Sequence, residues 1–232
     1  MTRECYRTLT GAINRCPGLL GGVLVALAIG LFASAIGVAQ DAAPAPDAWL
    51  AVLSVHARAH PRATGPVTLV RHEHAHDRTT TERGTLHLDP SGARLALDHA
   101  EVALTPAQIE AFDGDATPPR VLLQRGETPL ARYAAWIGGE DLGAMFSERV
   151  LSREGRRVRL ELLPRVAWPG LERIVVRALD EGADRGRIER VLWLDGLGNW
   201  QRLDVEQLRY PAQIDPRMLL LSPHPGARRI EI

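Results

Sequence analysis

Three histidines alternate within one short segment, and their type and spacing are those of metal ligands. The segment reads Arg71-His-Glu-His-Ala-His-Asp77, so His72, His74 and His76 occupy every second position. On a β-strand such residues project from one face, and neutral imidazoles bind zinc or copper. His87, on the next predicted strand, would supply a further ligand.

The spacing of these histidines argues against a single metal site. Alternate residues of a strand lie roughly 7 Å apart, so three ligands on one strand reach the same ion poorly. We therefore predict no metal and no cofactor, and we interpret the histidines as polar residues on the solvated face of a sheet.

Other reactive side chains lack the surroundings that catalysis requires. Ser147, Ser152 and Ser222 have no Gly-x-Ser-x-Gly setting, so nothing marks a serine nucleophile. Asp195 and Asp204 are formally two carboxylates, but Asp195 opens a Gly-rich turn, where Asp is a common turn residue. The glycines of that turn precede no helix with Lys-Ser/Thr, which excludes a phosphate loop. The sequence predicts no catalytic residue.

The N-terminal segment has the order of a secretory signal. Arg3, Arg7 and Arg15 precede an uncharged apolar run that extends from Gly18 to Ala39 and ends in small residues. This order predicts cleavage after Ala39. The run is also long enough for an uncleaved membrane anchor, which needs roughly 20 apolar residues. Both alternatives export the rest of the chain.

The positions of the cysteines and the net charge argue against thiol chemistry and against nucleic-acid binding. Cys5 and Cys16 both lie in the signal segment, so the chain beyond it has no disulfide and no thiol chemistry. The formal net charge is zero, which provides no electrostatic footprint for nucleic acid. We divide the chain into a signal at 1–39, an Ala/Pro linker at 40–46 and one domain at 47–232.

The pattern of apolar residues predicts one helix followed by a β-rich domain. Asp47 is positioned to cap an amphipathic helix that ends at Pro61 and carries Trp49, Leu53 and His56 on one face. Further short helices are predicted at 107–112 and 138–147. The predicted strands are 67–77, 84–89, 93–97, 121–124, 130–136, 150–151, 158–163, 171–179, 188–194, 200–208 and 214–221.

Alternation along the later strands predicts one dry face and one wet face. Leu160 and Val176 are on the apolar side, whereas Arg159, Glu161 and Arg177 are on the polar side. Helices should cover the dry face, so the predicted fold class is α+β, mainly β, with a curved antiparallel sheet that forms a half-open barrel around an apolar cavity. The alternation assigns the cavity lining to Leu160, Leu162, Ile174, Val176, Trp193, Leu203 and Val205. Trp193 and Trp200 flank the Gly-rich turn and either pack in the core or form a lip of the cavity.

Three segments of the second half resemble a known family. Val158-Arg-Leu-Glu-Leu-Leu-Pro164 is similar to a strand that ends in Leu-x-Pro, and 186–198 is similar to a hairpin that leads into an Asp-x-x-Gly turn. The segment 214–221, with Pro223-His-Pro-Gly226 after it, is similar to a last strand with a closing Pro-x-Gly. Together they resemble the LolA-like periplasmic carriers of outer-membrane lipoproteins.

This resemblance implies a half-closed barrel with a helical lid and a periplasmic location. It implies a carrier, not an enzyme, that binds an acylated lipoprotein or another lipid and moves it toward the outer membrane. Its partners would be an inner-membrane donor and an outer-membrane acceptor protein, with no nucleic acid, and the carrier would be a monomer. Two alternatives remain open: an envelope sensor of lipids or lipoproteins that regulates a membrane partner, and an enzyme on the same scaffold.

Overall fold

The structure, a computed structural model, describes residues 48–126, 143, 146–165 and 171–231. Helix α1 spans Trp49–Ala59, and short 3-10 helices span His74–His76 and Pro216–Leu219. The strands are β1 (Ala63–Glu73), β2 (Arg78–Asp89), β3 (Gly92–Leu97), β4 (Ala100–Leu104), β5 (Gln108–Asp113), β6 (Arg120–Arg125), β7 (Phe146–Glu154), β8 (Arg157–Pro164), β9 (Arg173–Leu179), β10 (Ile188–Leu194), β11 (Trp200–Val205) and β12 (Arg228–Glu231). Within these ranges no helix is long and apolar enough to span a membrane. The N-terminal apolar run and the strand predicted at 130–136 lie outside the described residues.

All twelve strands form one curved sheet that does not close into a barrel. Strands β1 to β6 are a meander, and strands β7 to β11 are a second meander. The two meanders join where β11 pairs antiparallel with β1, with Leu203 opposite Leu69. Strand β12 pairs with β6 in parallel orientation, so β12 and β7 are the two edges of the sheet among the described strands. The predicted half-open antiparallel sheet is confirmed.

The concave face of this sheet is apolar because every second residue points toward it. Leu160 lies opposite Val176, which lies opposite Val191, and all three are at most 2% exposed. Leu203 lies opposite Val191 on one side and opposite Leu69 on the other, so the apolar face extends into the first meander. Helix α1 packs on this face and belongs to the same core cluster. The dry face predicted from alternation is therefore confirmed.

The chain after β11, residues 206–227, is here called the C-terminal strap. It crosses the outer, convex face of the first meander before it reaches β12. The side chain of Leu219 packs on Gly92, where an added Cβ would lie only 3.2 Å from it. Glu101, on the convex side of β4, accepts hydrogen bonds from Ser222 N at 2.7 Å and from Arg94 Nε at 2.6 Å. The strap thereby buries the convex face of β2 to β4.

The helix predicted at 107–112 is wrong, because this segment is strand β5. The hydroxyl of Thr105 accepts a hydrogen bond from the backbone N–H of Gln108 at 3.1 Å, and Gln108 O accepts one from Thr105 N at 2.9 Å. These bonds form a tight turn that returns the chain alongside β4. Ile109 and Ala111 are then buried in alternation, as in a strand and not as in a helix.

The final strand predicted at 214–221 is also wrong. Pro216 lacks an N–H, and Asp215 accepts a hydrogen bond from the backbone of Arg217, so the segment forms a 3-10 turn. The last strand, β12, begins only after Gly226, which has a φ of +85°. The helix predicted at 138–147 falls largely outside the described residues, but Ser147 belongs to β7. Helix α1 ends at Ala59, as Pro61 predicted, whereas Asp47 lies outside the described residues.

Candidate functional site

The concave face holds all seven residues that alternation assigned to a cavity lining. Cross-strand pairs place Leu160 against Val176, and Ile174 against both Leu162 and Trp193. Six of the seven are at most 6% exposed, and Val205 is partly buried. Whether these residues contact a ligand stays a prediction. Their placement in continuous rows across β8 to β11 makes a single apolar surface.

Helix α1 occupies the space in front of this surface. Trp49 and Leu53 are fully buried, so the helix and sheet share one core. No side chain of its own caps the first turn of the helix. Instead Glu148, on the concave side of β7, accepts a hydrogen bond from the backbone N–H of Leu50 at 2.5 Å. The guanidinium of Arg185 lies 5.1 Å from the centre of the Trp49 ring. The N-terminal end of α1 is therefore held by a hydrogen bond to Glu148 and by the contact between Arg185 and Trp49.

A small cavity remains under the C-terminal half of α1. Its walls include Leu86, Val191, Leu203 and Val205 from the sheet, and its volume is about 40 Å³. Pockets for drug-sized ligands measure roughly 300–1,000 Å³. The accessible cavity expected from the sequence is therefore mostly filled by α1 in this conformation.

His56, His60 and Tyr210 close this cavity. His56 Nε2 lies 3.2 Å from the hydroxyl of Tyr210, and the His60 ring stacks on Tyr210 with centroids 4.3 Å apart. Burial, with the adjacent His60, lowers the pKa of His56 to about 4. Burial also raises the pKa of Tyr210 to about 12. Both groups are consequently neutral at neutral pH, which suits an apolar surface.

The opposite end of the concave face contains buried polar groups. Arg71 forms an ion pair with Glu82, and burial lowers the pKa of Arg71. The side-chain oxygen of Gln201, across from Arg71, has no hydrogen-bond partner among the described residues. The same holds for the indole N–H groups of Trp49 and Trp193. Unpaired buried polar atoms are unfavourable by about 1–3 kcal/mol each, so a ligand with matching polar atoms would be stabilised here.

The histidine segment forms a turn, not a strand with three aligned ligands. Only His72 lies in β1, because His74 and His76 belong to the 3-10 helix that leads into β2. His72 stacks on Trp200 with centroids 5.3 Å apart. His87 is buried at the other end of the sheet, where it hydrogen-bonds Thr64 Oγ1 at 2.8 Å. The part of the chain that the structure describes contains no group of three metal-binding side chains. The idea of aligned ligands on one strand is wrong.

The two aspartates of the Gly-rich hairpin have structural roles. Asp195 accepts hydrogen bonds from the backbone N–H groups of Leu197 and Asn199, at 2.8 and 2.9 Å, and these bonds shape the turn. Asp204 forms ion pairs with Arg190 and Arg202 on the convex face. The interpretation of Asp195 as a turn residue is therefore confirmed.

The two tryptophans beside this turn lie on opposite faces of the sheet. Trp193 is 3% exposed and belongs to the core, in agreement with the simpler of its two predicted roles. Trp200 is partly exposed on the convex side, so only Trp193 faces the cavity side of the sheet.

Two contacts of the site were not predicted from the sequence. Glu148 and Leu50 are separated by 98 residues, and His56 and Tyr210 by 154. The signal for His56 was its position on the apolar face of α1, which is unusual for an imidazole. No local pattern marked Tyr210 or Glu148.

Solved structures of similar fold come from several bacteria. An uncharacterised conserved protein from Thermus thermophilus is 12% identical, with a TM-score of 0.44 over 72% of this chain and 90% of that one. A LolA superfamily protein from Nitrosomonas europaea is 9% identical, with a TM-score of 0.38 over 70% of this chain and 91% of that one. The Mycobacterium tuberculosis lipoprotein LppX is 11% identical, with a TM-score of 0.39 over 72% of this chain and 98% of that one. No protein-family model and no curated protein matches the sequence. A LolA superfamily protein is thus among the solved structures to which this chain is similar.

Proposed function

We propose that this protein is a periplasmic carrier that buries the acyl chain of a lipoprotein or another lipid against the concave face of its sheet. The observation that carries this proposal is the continuous apolar surface across β1 and β8 to β11, on which helix α1 packs. Burial of an acyl chain contributes roughly 0.8 kcal/mol per methylene, so an apolar surface alone supplies the affinity. The carrier would receive its cargo at the inner membrane and deliver it to an acceptor at the outer membrane.

Loading requires α1 to move, because the cavity beneath it measures only about 40 Å³. Among the described residues, the polar contacts that hold the helix are those of Glu148 at its first turn, Arg185 over Trp49 and Tyr210 at its last turn. An entering acyl chain would replace the apolar contacts that α1 makes with the sheet. Return of α1 to the same surface would displace the chain at delivery.

A fluorescent fatty acid tests this proposal directly. Purified protein titrated with dansyl-undecanoic acid should show saturable binding with a blue shift, and palmitate should compete. Val205→Arg places a charge at the cavity and should weaken binding by at least about tenfold, because a buried charge is strongly unfavourable. Thr68→Arg is the matched control, since Thr68 lies on the convex face of the adjacent strand, opposite Asp204.

Native mass spectrometry of the protein purified from the periplasm provides a second measurement. A bound acylated species is the expected result. If neither the spectrum nor the titration detects an acyl ligand, the carrier proposal is wrong. Equal loss of binding in Val205→Arg and Thr68→Arg would place any binding site elsewhere.

A further inference from the structure

The convex face of the second meander contains a groove that the C-terminal strap leaves uncovered. The strap packs on Gly92 and Glu101 in the first meander, whereas the described residues that line the groove all belong to β7 to β11. The groove has a volume of about 510 Å³. Its polar walls are Arg159, Arg177, Arg190, Arg202 and Glu154. A volume of this size is within the range of small-molecule sites.

Three of these arginines form a row across three neighbouring strands. Arg159 lies directly opposite Arg177, and Arg177 lies directly opposite Arg190. Like charges in such cross-strand positions repel each other and destabilise a sheet. Glu189 lies 3.3 Å from Arg177, and Asp204 pairs with Arg190. Arg159 is exposed and has no ion pair among the described residues. The row therefore retains an excess of positive charge.

The guanidinium N–H groups of this row also have fewer hydrogen-bond acceptors than they could use. The buried Nε atom of Arg177 lies 3.3 Å from Glu189 Oε2 in an ion pair, but it donates no well-aligned hydrogen bond within the described part of the chain. Two carboxylates beside the row are each shared between two guanidinium groups: Glu189 with Arg157 and Arg177, and Asp204 with Arg190 and Arg202. Glu154, in the groove wall, accepts a hydrogen bond from Ser152 Oγ at 3.2 Å. Guanidinium groups bind phosphate and carboxylate oxygens through paired hydrogen bonds. An added oxyanion would both accept these hydrogen bonds and reduce the repulsion along the row.

Apolar residues line the groove beside the arginine row. Val175 and Leu192 lie opposite each other, two residues along their strands from Arg177 and Arg190. Leu194 and Trp200 lie opposite each other, two residues further along β10. Successive rows on one face are roughly 7 Å apart, the distance between alternate strand residues. All four side chains are partly buried and line the same groove. A ligand with a charged group over the arginines would therefore place its neighbouring part on apolar side chains.

We propose that this groove binds an oxyanion, phosphate or carboxylate, that is joined to an apolar group. The oxyanion binds Arg159, Arg177 and Arg190, and the apolar group packs on Leu192, Leu194 and Trp200. The site lies on the opposite face of the sheet from the acyl-binding surface and does not depend on it. Both a soluble phosphorylated metabolite and the head group of an anionic lipid have this chemistry.

Calorimetric titration with 1-naphthyl phosphate tests the site, since this probe has an oxyanion and an aromatic group but no acyl chain. It should bind saturably and more tightly than inorganic phosphate or 1-naphthol, each of which offers half of the contacts. Arg159→Gln should weaken binding by about tenfold, the effect of one charge-assisted hydrogen bond. This substitution breaks no ion pair among the described residues, so the fold should be retained.

Arg83→Gln is the matched control. Arg83 is exposed on the same convex face but lies outside the groove. It pairs across strands with Thr68, which in turn lies opposite Asp204. Its substitution should leave binding of 1-naphthyl phosphate unchanged, and so should Val205→Arg, which acts on the concave face. No saturable binding of naphthyl phosphate, or equal weakening by both substitutions, would overturn the proposal.

Vesicles of phosphatidylglycerol and phosphatidylcholine distinguish the two sources of the oxyanion. Sedimentation of the protein with these vesicles, reduced by Arg159→Gln and absent with phosphatidylcholine alone, would assign the site to a lipid head group. Binding of naphthyl phosphate without vesicle binding would assign it to a soluble ligand. Both results support an oxyanion site in the groove.

Discussion

His56 is buried at the C-terminal end of α1, where burial and the adjacent His60 hold its pKa at about 4. Asp184 acts in the opposite direction, and Arg187 adds to the lowering. The imidazole is therefore neutral in the folded protein, with its Nε2 atom 3.2 Å from Tyr210. In an unfolded chain the same group would titrate near its ordinary pKa of 6.5. This difference links proton binding to unfolding.

We expect the protein to lose stability as the pH falls from about 6.5 to about 4, because in this window the unfolded chain binds a proton at position 56 that the folded protein excludes. Above this window the contribution of His56 is fully present. Urea denaturation at a series of pH values measures the effect. His56→Gln should flatten the dependence, whereas substitution of the exposed His99 by Gln should preserve it. An unchanged slope in His56→Gln would contradict this assignment.

At the scale of elements, the proposed loading of a lipid requires α1 to move, and Glu148 holds its first turn. The hydrogen bond from Leu50 N to Glu148 replaces the side-chain cap that α1 lacks at Ala48. A carboxylate at this end also interacts favourably with the helix dipole. The contact joins α1 to the edge strand β7 and not to the centre of the sheet. Its loss should therefore loosen the helix without disturbing the core.

Glu148→Ala should lower the free energy of unfolding by about 1 kcal/mol, the usual effect of removing a helix cap. It should also accelerate exchange of bound dansyl-undecanoic acid, because α1 would leave the concave face more often. Stopped-flow competition with palmitate measures this rate. Ser147→Ala, the adjacent position on the other face of β7, is the control and should change neither quantity. Slower exchange in Glu148→Ala would show that α1 does not gate the surface.

Periodicity in the sequence predicted the elements whose burial repeats regularly. Helix α1 and strands β8 to β10 were placed correctly because each buries one face of an uninterrupted pattern. Strand β5 was missed because Thr105 and Pro106 resemble a helix start, while the hydrogen bonds of Thr105 form a turn. Apolar residues at 214–221 resembled a strand, but Leu219 is the only one that the C-terminal strap buries fully. The lining residues followed from alternation, whereas the contacts that hold α1 join distant segments.

At the scale of the whole molecule, the C-terminal strap connects the two meanders. The chain leaves β11 at the centre of the sheet, crosses the convex face of the first meander and ends as β12 beside β6. Glu101 is the central contact, since it is 5% exposed and binds Arg94, Ser222 N and His224. The His224 ring also stacks on Phe112, with centroids 3.6 Å apart. The strap protects one half of the convex face and leaves the arginine groove in the other half accessible.

Glu101→Ala should therefore lower the free energy of unfolding by about 3 kcal/mol, because it leaves Arg94 partly buried without its carboxylate. It should also release the strap, so that limited proteolysis cuts within residues 206–227 before the remainder of the domain. Glu110→Ala is the matched control: Glu110 lies on the same face of the neighbouring strand, opposite Ala103. Naphthyl phosphate should bind Glu101→Ala normally, since the groove lies in the other meander. Proteolysis that begins in α1 or β7 instead would show that the strap does not depend on Glu101.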